Sequence, residues 1–282
     1  TPDEGRRLIV LLPLLAAAAS APKAPATQPR PQIPPVASPA DAIASAERSF
    51  ARRAQVEGQW KAFGLTAAPD AIMFVPDAKP VAQALIGATE PTVPVMWWPG
   101  TIAPSCDGTL ALSTGPWVRA ASGGQGTFTT IWKRTANGYR WQLDHGRPTP
   151  RLVPAGNMPT VIAPACSGDM PLGAAARKAE YDKLAASVAA RAGVDGAAAF
   201  AGNAAGDILI QTEEAMPVRG PAALPKTIFG MAIASGHSDD WTLAWASRAL
   251  LGGKGGAHDL RVWQWRGSAG WKLVVYETIG LK

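Results

Sequence analysis

Between Trp132 and Gly146 the chain reads WKRTANGYRWQLDHG, and the Asn137-Gly138 step inside it strongly constrains local structure. Both central residues of a type I′ turn need positive φ, which Asn and Gly accept at low cost. The flanks are rich in aromatic and β-branched residues, so the stretch predicts a hairpin with a two-residue loop. Opposed positions then pair Ala136 with Tyr139, Arg134 with Trp141, Trp132 with Leu143, Thr130 with His145, and Ile131 with Asp144. Opposed residues share a face. One face carries Phe128, Thr130, Trp132, Tyr139, Trp141, Leu143 and His145, and is expected to be buried. The other carries Thr129, Ile131, Lys133, Arg140, Gln142 and Asp144, and is expected to be mostly solvated. Asp144 and His145 point to opposite sides, which argues against a reactive pair within one regular strand.

The hairpin has an echo in VWQWRGSAGWKLVVYE, Val262 to Glu277. Three further blocks recur in the same order. Ile43, Ala46, Phe50 and Ala54 have helical spacing, as do Tyr181, Leu184 and Val188 in the stretch from Ala174 to Ala192. The segment from Phe63 to Ile72 aligns with that from Phe200 to Leu209, and Thr109-Leu-Ala-Leu112 aligns with Thr242-Leu-Ala-Trp245. Each copy reads as helix, short helix, strand, a variable segment and three long strands. Helices on one side of a strongly curved antiparallel sheet make an α+β layer.

This pattern resembles the nuclear transport factor 2-like superfamily, within it the SnoaL-like and ketosteroid-isomerase-like domains. In the first copy the resemblance is carried by the helix ending near Phe50, the Ala-Ala-Pro-Asp70-Ala-Ile-Met-Phe segment, Asp107 to Gly115, and Gly126 to Trp141. It implies two tandem cone-shaped domains, 41–148 and 172–282, whose wide ends hold a small molecule. The second is the more degenerate. Such folds include isomerases, dehydratases and domains without chemistry, so the resemblance implies architecture before activity.

Outside these copies, Arg6-Arg7, the apolar run Leu8 to Ala19 and Ala19-Ser20-Ala21 predict a signal peptide over 1–21. A Pro/Ala-rich tether follows over 22–40, and a second Pro-rich linker spans 149–171. Export to the periplasm or beyond makes Cys106 and Cys166 candidates for one disulfide, two buried thiols being the alternative. The net charge of +6 is scattered, with no basic stripe interleaved with exposed aromatics, so no nucleic-acid partner is expected. No metal-ligand spacing links the three His to the Cys, no cofactor motif appears, and stable membrane insertion after signal cleavage is not expected. The glycine-rich segments Ser122–Gly126 and Gly252–Gly256 read as hairpin connections.

If the aromatic face is the concave one, His145 lies inside the first cone and Glu277, its counterpart, inside the second. Either is a candidate general base, because desolvation moves such groups toward the working range. The alternative is a strand-end residue bonded to backbone. Asp70 and Asp207 precede a strand in both copies and read as turn-forming. No pair of acids is apparent on the inner face. The leading function is binding of a small, largely apolar molecule in the first cone by Trp97, Thr130, Trp132, Leu143 and His145. An isomerase- or dehydratase-type enzyme using an inward His or Glu is a second reading. A non-catalytic scaffold whose two domains pair sheet to sheet is a third.

Overall fold

A computed structural model describes residues 37–74, 77–166, 173–191, 199–200, 202–252 and 256–280. The expected signal peptide and all of the tether before Ala37 lie outside the described residues, as do parts of the second linker and of the Gly252–Gly256 connection. Helix α1, Pro39–Glu57, begins inside the stretch expected to be tether. The Ser38 hydroxyl accepts the Asp41 N–H at 3.2 Å, and Pro39 suits a first-turn position whose N–H has no helical partner. Gly58, at φ 110°, ends the helix and starts α2, Gln59–Thr66.

Strand β1 is Ala67–Phe74; β2 (Ala78–Pro80), α3 (Val81–Ala84) and the short β3 (Met96–Trp97) follow. Next come β4 (Thr101–Pro104), β5 (Leu110–Arg119), β6 (Gly124–Thr135), β7 (Gly138–Pro148) and β8 (Thr160–Val161). They form one sheet ordered β2-β1-β7-β6-β5-β4-β8, with β3 also on β5. The second half supplies α4 (Ala174–Arg191), β9 (Ala204–Gln211), β10 (Val218–Arg219), β11 (Ile228–His237), β12 (Leu243–Leu251), β13 (His258–Trp265) and β14 (Trp271–Ile279). Its sheet is ordered β10-β9-β14-β13-β12-β11, so the two sheets share one scheme. Both are mixed rather than purely antiparallel, because β1 runs parallel to β7 and β9 parallel to β14. Hairpin-length links force antiparallel neighbours. These two pairs are far apart in sequence, which leaves their sense free.

The β6–β7 register departs from expectation in two ways. Thr135 pairs with Gly138, so Ala136 and Asn137 form the loop. Gly138 takes φ 93°, whereas Asn137 stays out of the left-handed region. The Thr135 hydroxyl, accepting the Asn137 N–H at 3.2 Å and donating to the Gly138 carbonyl at 2.7 Å, holds this turn. That shift of two residues keeps the faces but changes the partners: Trp132 lies opposite Trp141, not the expected Leu143. Beyond Trp141 a bulge at Gln142 changes the parity: Ile131 pairs with Leu143, Thr130 with Asp144, and Thr129 with His145. One extra residue sends every later side chain to the opposite face. β13–β14 carries the matching bulge at Val274, between Trp263↔Leu273 and Val262↔Val275.

Two cores result. Phe50, Ala54, Trp97, Ala111, Phe128, Trp132 and Trp141 pack beneath α1 inside the first sheet. Leu110, Leu112, Ile131 and Leu143 join Trp245, Leu260, Val262 and Val275 of the second sheet in the other. The face expected to be solvated is therefore the seam between the halves, and the reason is that the second sheet covers it. Two related turns lock one end of this seam. Ser105-Cys-Asp107-Gly-Thr109-Leu110 and Ser238-Asp-Asp240-Trp-Thr242-Leu243 each wrap a carboxylate around their own Ser and Thr. The Asp107 N–H donates to Asp240 at 3.0 Å, and the Asp240 N–H donates back to Asp107 at 2.9 Å. Cys106, in the first turn, is disulfide-bonded to Cys166 with Cα atoms 5.3 Å apart.

Candidate functional site

Inside the first sheet the bulge brings Asp144, not His145, to the face shared with Thr130 and Trp132. The Thr130 hydroxyl donates to Asp144 at 2.8 Å. Facing it from α1 is Glu47, fully buried, which accepts the indole N–H groups of Trp97 and Trp132, each at 2.8 Å. Helical spacing puts Glu47 on the stripe of Ile43, Phe50 and Ala54. Loss of water raises the Glu47 carboxyl to about 7, against the indole and hydroxyl bonds that favour its charged form. Burial also holds Asp144 well above the usual carboxylate range. The Thr130 bond opposes this, and the nearby Glu47 charge adds to it. A pair of inward acids is thus present where the sequence suggested none.

Asp144 opens onto a recess of about 310 Å³. Its lining includes Trp60, Phe63, Met73, Trp97, Trp117, Phe128 and His145. Of the residues expected to line the cone, Trp97 and His145 border this recess. Thr130 and Trp132 sit on the same sheet face but bind the two acids instead. Leu143 is on the opposite face, in the seam, because the Gln142 bulge turned it there. Asp70 and Asp207 are solvent-exposed within irregular stretches of β1 and β9.

His145 and Glu277 do not occupy separate cones. The paired bulges turn both into the seam, where His145 Nε2 lies 3.0 Å from Glu277 Oε2. Arg147 Nε stands 3.3 Å from the other Glu277 oxygen, and His145 Nδ1 lies 3.0 Å from His258 Nε2. The His258 ring stacks on Phe74 with centroids 3.5 Å apart. Burial, then the neighbouring His145, pushes His258 down to about 3. Glu277 is held below the usual range: burial works against this, but the charges of His145 and Arg147 outweigh it. Arg147 also donates to the Thr212 and Ala215 carbonyls and to Gln211. The buried Glu277 carboxylate faces His145 and Arg147, and Arg147 is held in turn by the two backbone carbonyls and Gln211, an arrangement built for pairing.

Among the described residues no cluster of His, Cys, Asp and Glu has the arrangement to hold a metal ion. No helix among them is long and apolar enough to cross a membrane.

Sequence reasoning missed Glu47. Its signal was a lone carboxylate on the apolar stripe of a helix, where charged side chains are rarely fully buried without partners.

No protein-family model matches the sequence, and no curated protein sequence matches it. Solved structures do. An NTF-2-like protein of unknown function from Shewanella oneidensis MR-1 is 14% identical, covering 38% of this chain and 98% of its own, with a TM-score of 0.32. The CaMKII hub of S. rosetta is 16% identical over 40% of this chain and 98% of its own, with a TM-score of 0.32. A nuclear transport factor 2-like protein from Salmonella enterica is 11% identical over 38% and 93%, with a TM-score of 0.27. At these identities and scores a likeness says nothing of ligand or chemistry. What the chain is similar to is a set of solved nuclear transport factor 2-like structures.

Proposed function

We propose that the first half binds a small, largely apolar molecule in the recess over Asp144. The observation that carries this reading is an aromatic-walled recess whose lining includes one buried carboxyl, held by burial well above the usual carboxylate range. Small-molecule sites combine an apolar wall with a few placed polar groups in this way. Asp144 supplies the polar contact for a ligand carbonyl or hydroxyl, while Thr130 fixes its orientation. Trp97 and Trp117 supply flat surface for the ligand body. The reading also takes the halves as two domains, 41–148 and 172–282, joined by the linker 149–171. It takes the chain as exported to the periplasm or beyond after removal of residues 1–21.

The carboxyl pair supports a second reading, proton transfer to or from a carbonyl compound of the isomerase or dehydratase type. Glu47 is raised to about 7 but is fully buried and does not border the recess, so in this reading Asp144 meets the ligand and Glu47 acts behind it. In this reading Glu47 and Asp144 replace His145 and Glu277 as the proton-handling groups.

A metabolite screen by thermal shift, followed by titration of each hit against Asp144→Asn and Trp97→Ala, tests the proposal. Hits are expected to raise the melting temperature of the parent chain and to lose about tenfold or more in affinity in each variant. Hits indifferent to both variants would place binding elsewhere. For the second reading, turnover of a hit should follow a pH profile with an inflection near 7 that Glu47→Gln removes.

A further inference from the structure

The second half leaves a larger space under its helix than the first. Between α4 and the inner face of its sheet lies a recess of about 830 Å³, bordered by Tyr181, Leu184, Val188, Trp241 and Trp263, with Arg261 in its wall. Arg261 shares the inner face with Tyr276 by register. It is 4% exposed, with Nε 2.7 Å from Asp259 and its guanidinium 3.8 Å over the Phe229 ring. Asp259 is already engaged at both oxygens, by Arg261 Nε and by the Arg248 N–H at 2.9 Å. The outer nitrogen Nη2 of Arg261 has no hydrogen-bond partner. A buried charged donor left unpaired is costly, so an acceptor arriving from the recess gains what the protein itself does not supply. Along the recess Lys133 is paired with Asp239 at 2.8 Å, Arg261 with Asp259, and Arg248 donates to the Gly230 carbonyl, so Arg261 Nη2 is a donor left for an acceptor on a ligand.

We propose that this recess binds a small organic carboxylate with an apolar or aromatic body, its carboxylate meeting Arg261 and its body lying between Leu184, Val188 and the Trp263 ring. Arg261 is the group of choice because its planar fork keeps one edge on Asp259 while offering another to the ligand. This site is distinct from the recess over Asp144 and does not rest on that reading.

The test is titration of the full chain with benzoate, phenylacetate and 4-phenylbutyrate, each against its primary amide, followed by calorimetry and tryptophan fluorescence. At least one acid is expected to bind about tenfold or more tightly than its amide. Arg261→Lys is expected to lower that affinity by a similar factor. Leu184→Trp, which fills the recess from α4 without touching the Arg261–Asp259 pair, is expected to do the same even if the Arg261 variant fails to fold. Asp144→Asn is expected to leave it unchanged. Equal affinity for acid and amide, no acid bound up to about 10 mM, or a loss caused by Asp144→Asn in place of Leu184→Trp overturns the proposal.

Discussion

At the scale of single residues the molecule turns on carboxylates whose surroundings set their charge. Glu47 has no cation beside it, only two indoles and hydroxyls, so burial keeps its proton on to about 7 from an ordinary value of 4.5. The folded-state value is raised, so the unfolded chain gives up its proton first as pH rises. The contribution of Glu47 to stability is therefore full below about 4.5, falls between about 4.5 and about 7, and is gone above. A shift of this size corresponds to about 3 kcal/mol. Denaturant unfolding across pH 4 to 8 should show this fall, and Glu47→Gln should reduce its slope, with the raised Asp144 keeping part of it. A Glu47 variant with an unchanged pH profile would refute the assignment. Glu277 is the opposite case, a carboxylate kept charged by His145 and Arg147. Replacing it with Gln leaves the buried Arg147 without a charged partner, which costs about 3–5 kcal/mol; a loss under 1 kcal/mol in the same unfolding assay would mean the pairing contributes little.

At the scale of elements, one-residue bulges decide which groups meet. Hairpin strands and the placing of Trp132 and Trp141 on one inward face follow from alternation and were legible in the sequence, whereas their pairing with each other was not. The bulge at Gln142 was not, since nothing in WQLDHG distinguishes a regular strand from one with an extra residue. Its counterpart at Val274 is equally silent. The turn lock was half legible: the recurrence of Thr109-Leu and Thr242-Leu was visible, but not that Asp107 and Asp240 would accept each other's N–H. Those bonds, with Ser105 and Thr109, hold Asp107 below its ordinary range even though burial acts the other way. The lock is strongest above the unfolded carboxylate range and weakens as pH falls through the lowered value. Asp107→Ala and Asp240→Ala should each destabilise, and the double variant should lose less than the sum, with a coupling of about 0.5–3 kcal/mol. Strict additivity would show that the two turns act independently.

At the scale of the whole molecule, the seam makes the halves one folding unit. Leu110, Leu112, Ile131 and Leu143 belong to the same buried cluster as the second sheet, while Gln211 reaches across to Thr114 at 3.2 Å. Residues 37–150 produced alone would expose that apolar face and leave Arg147 without Glu277. Sedimentation should find them self-associated or aggregated, whereas the full chain should be monomeric at the same concentration and melt in one transition. A soluble, monomeric first half would show that its stability does not depend on the seam.

The sequence by itself determined what local rules govern: helix stripes, strand alternation, the recurring blocks, and two cysteines at a separation a disulfide can close. These depend on neighbours along the chain, and so does the choice of Trp132 and Trp141 as inward residues. Only the tertiary structure decided which charged groups meet. Glu47 finds Asp144 across the first core, and His145 finds Glu277 across the seam, because a single unpaired residue in each hairpin reverses the faces beyond it and because a second sheet covers what one sheet alone would show to water.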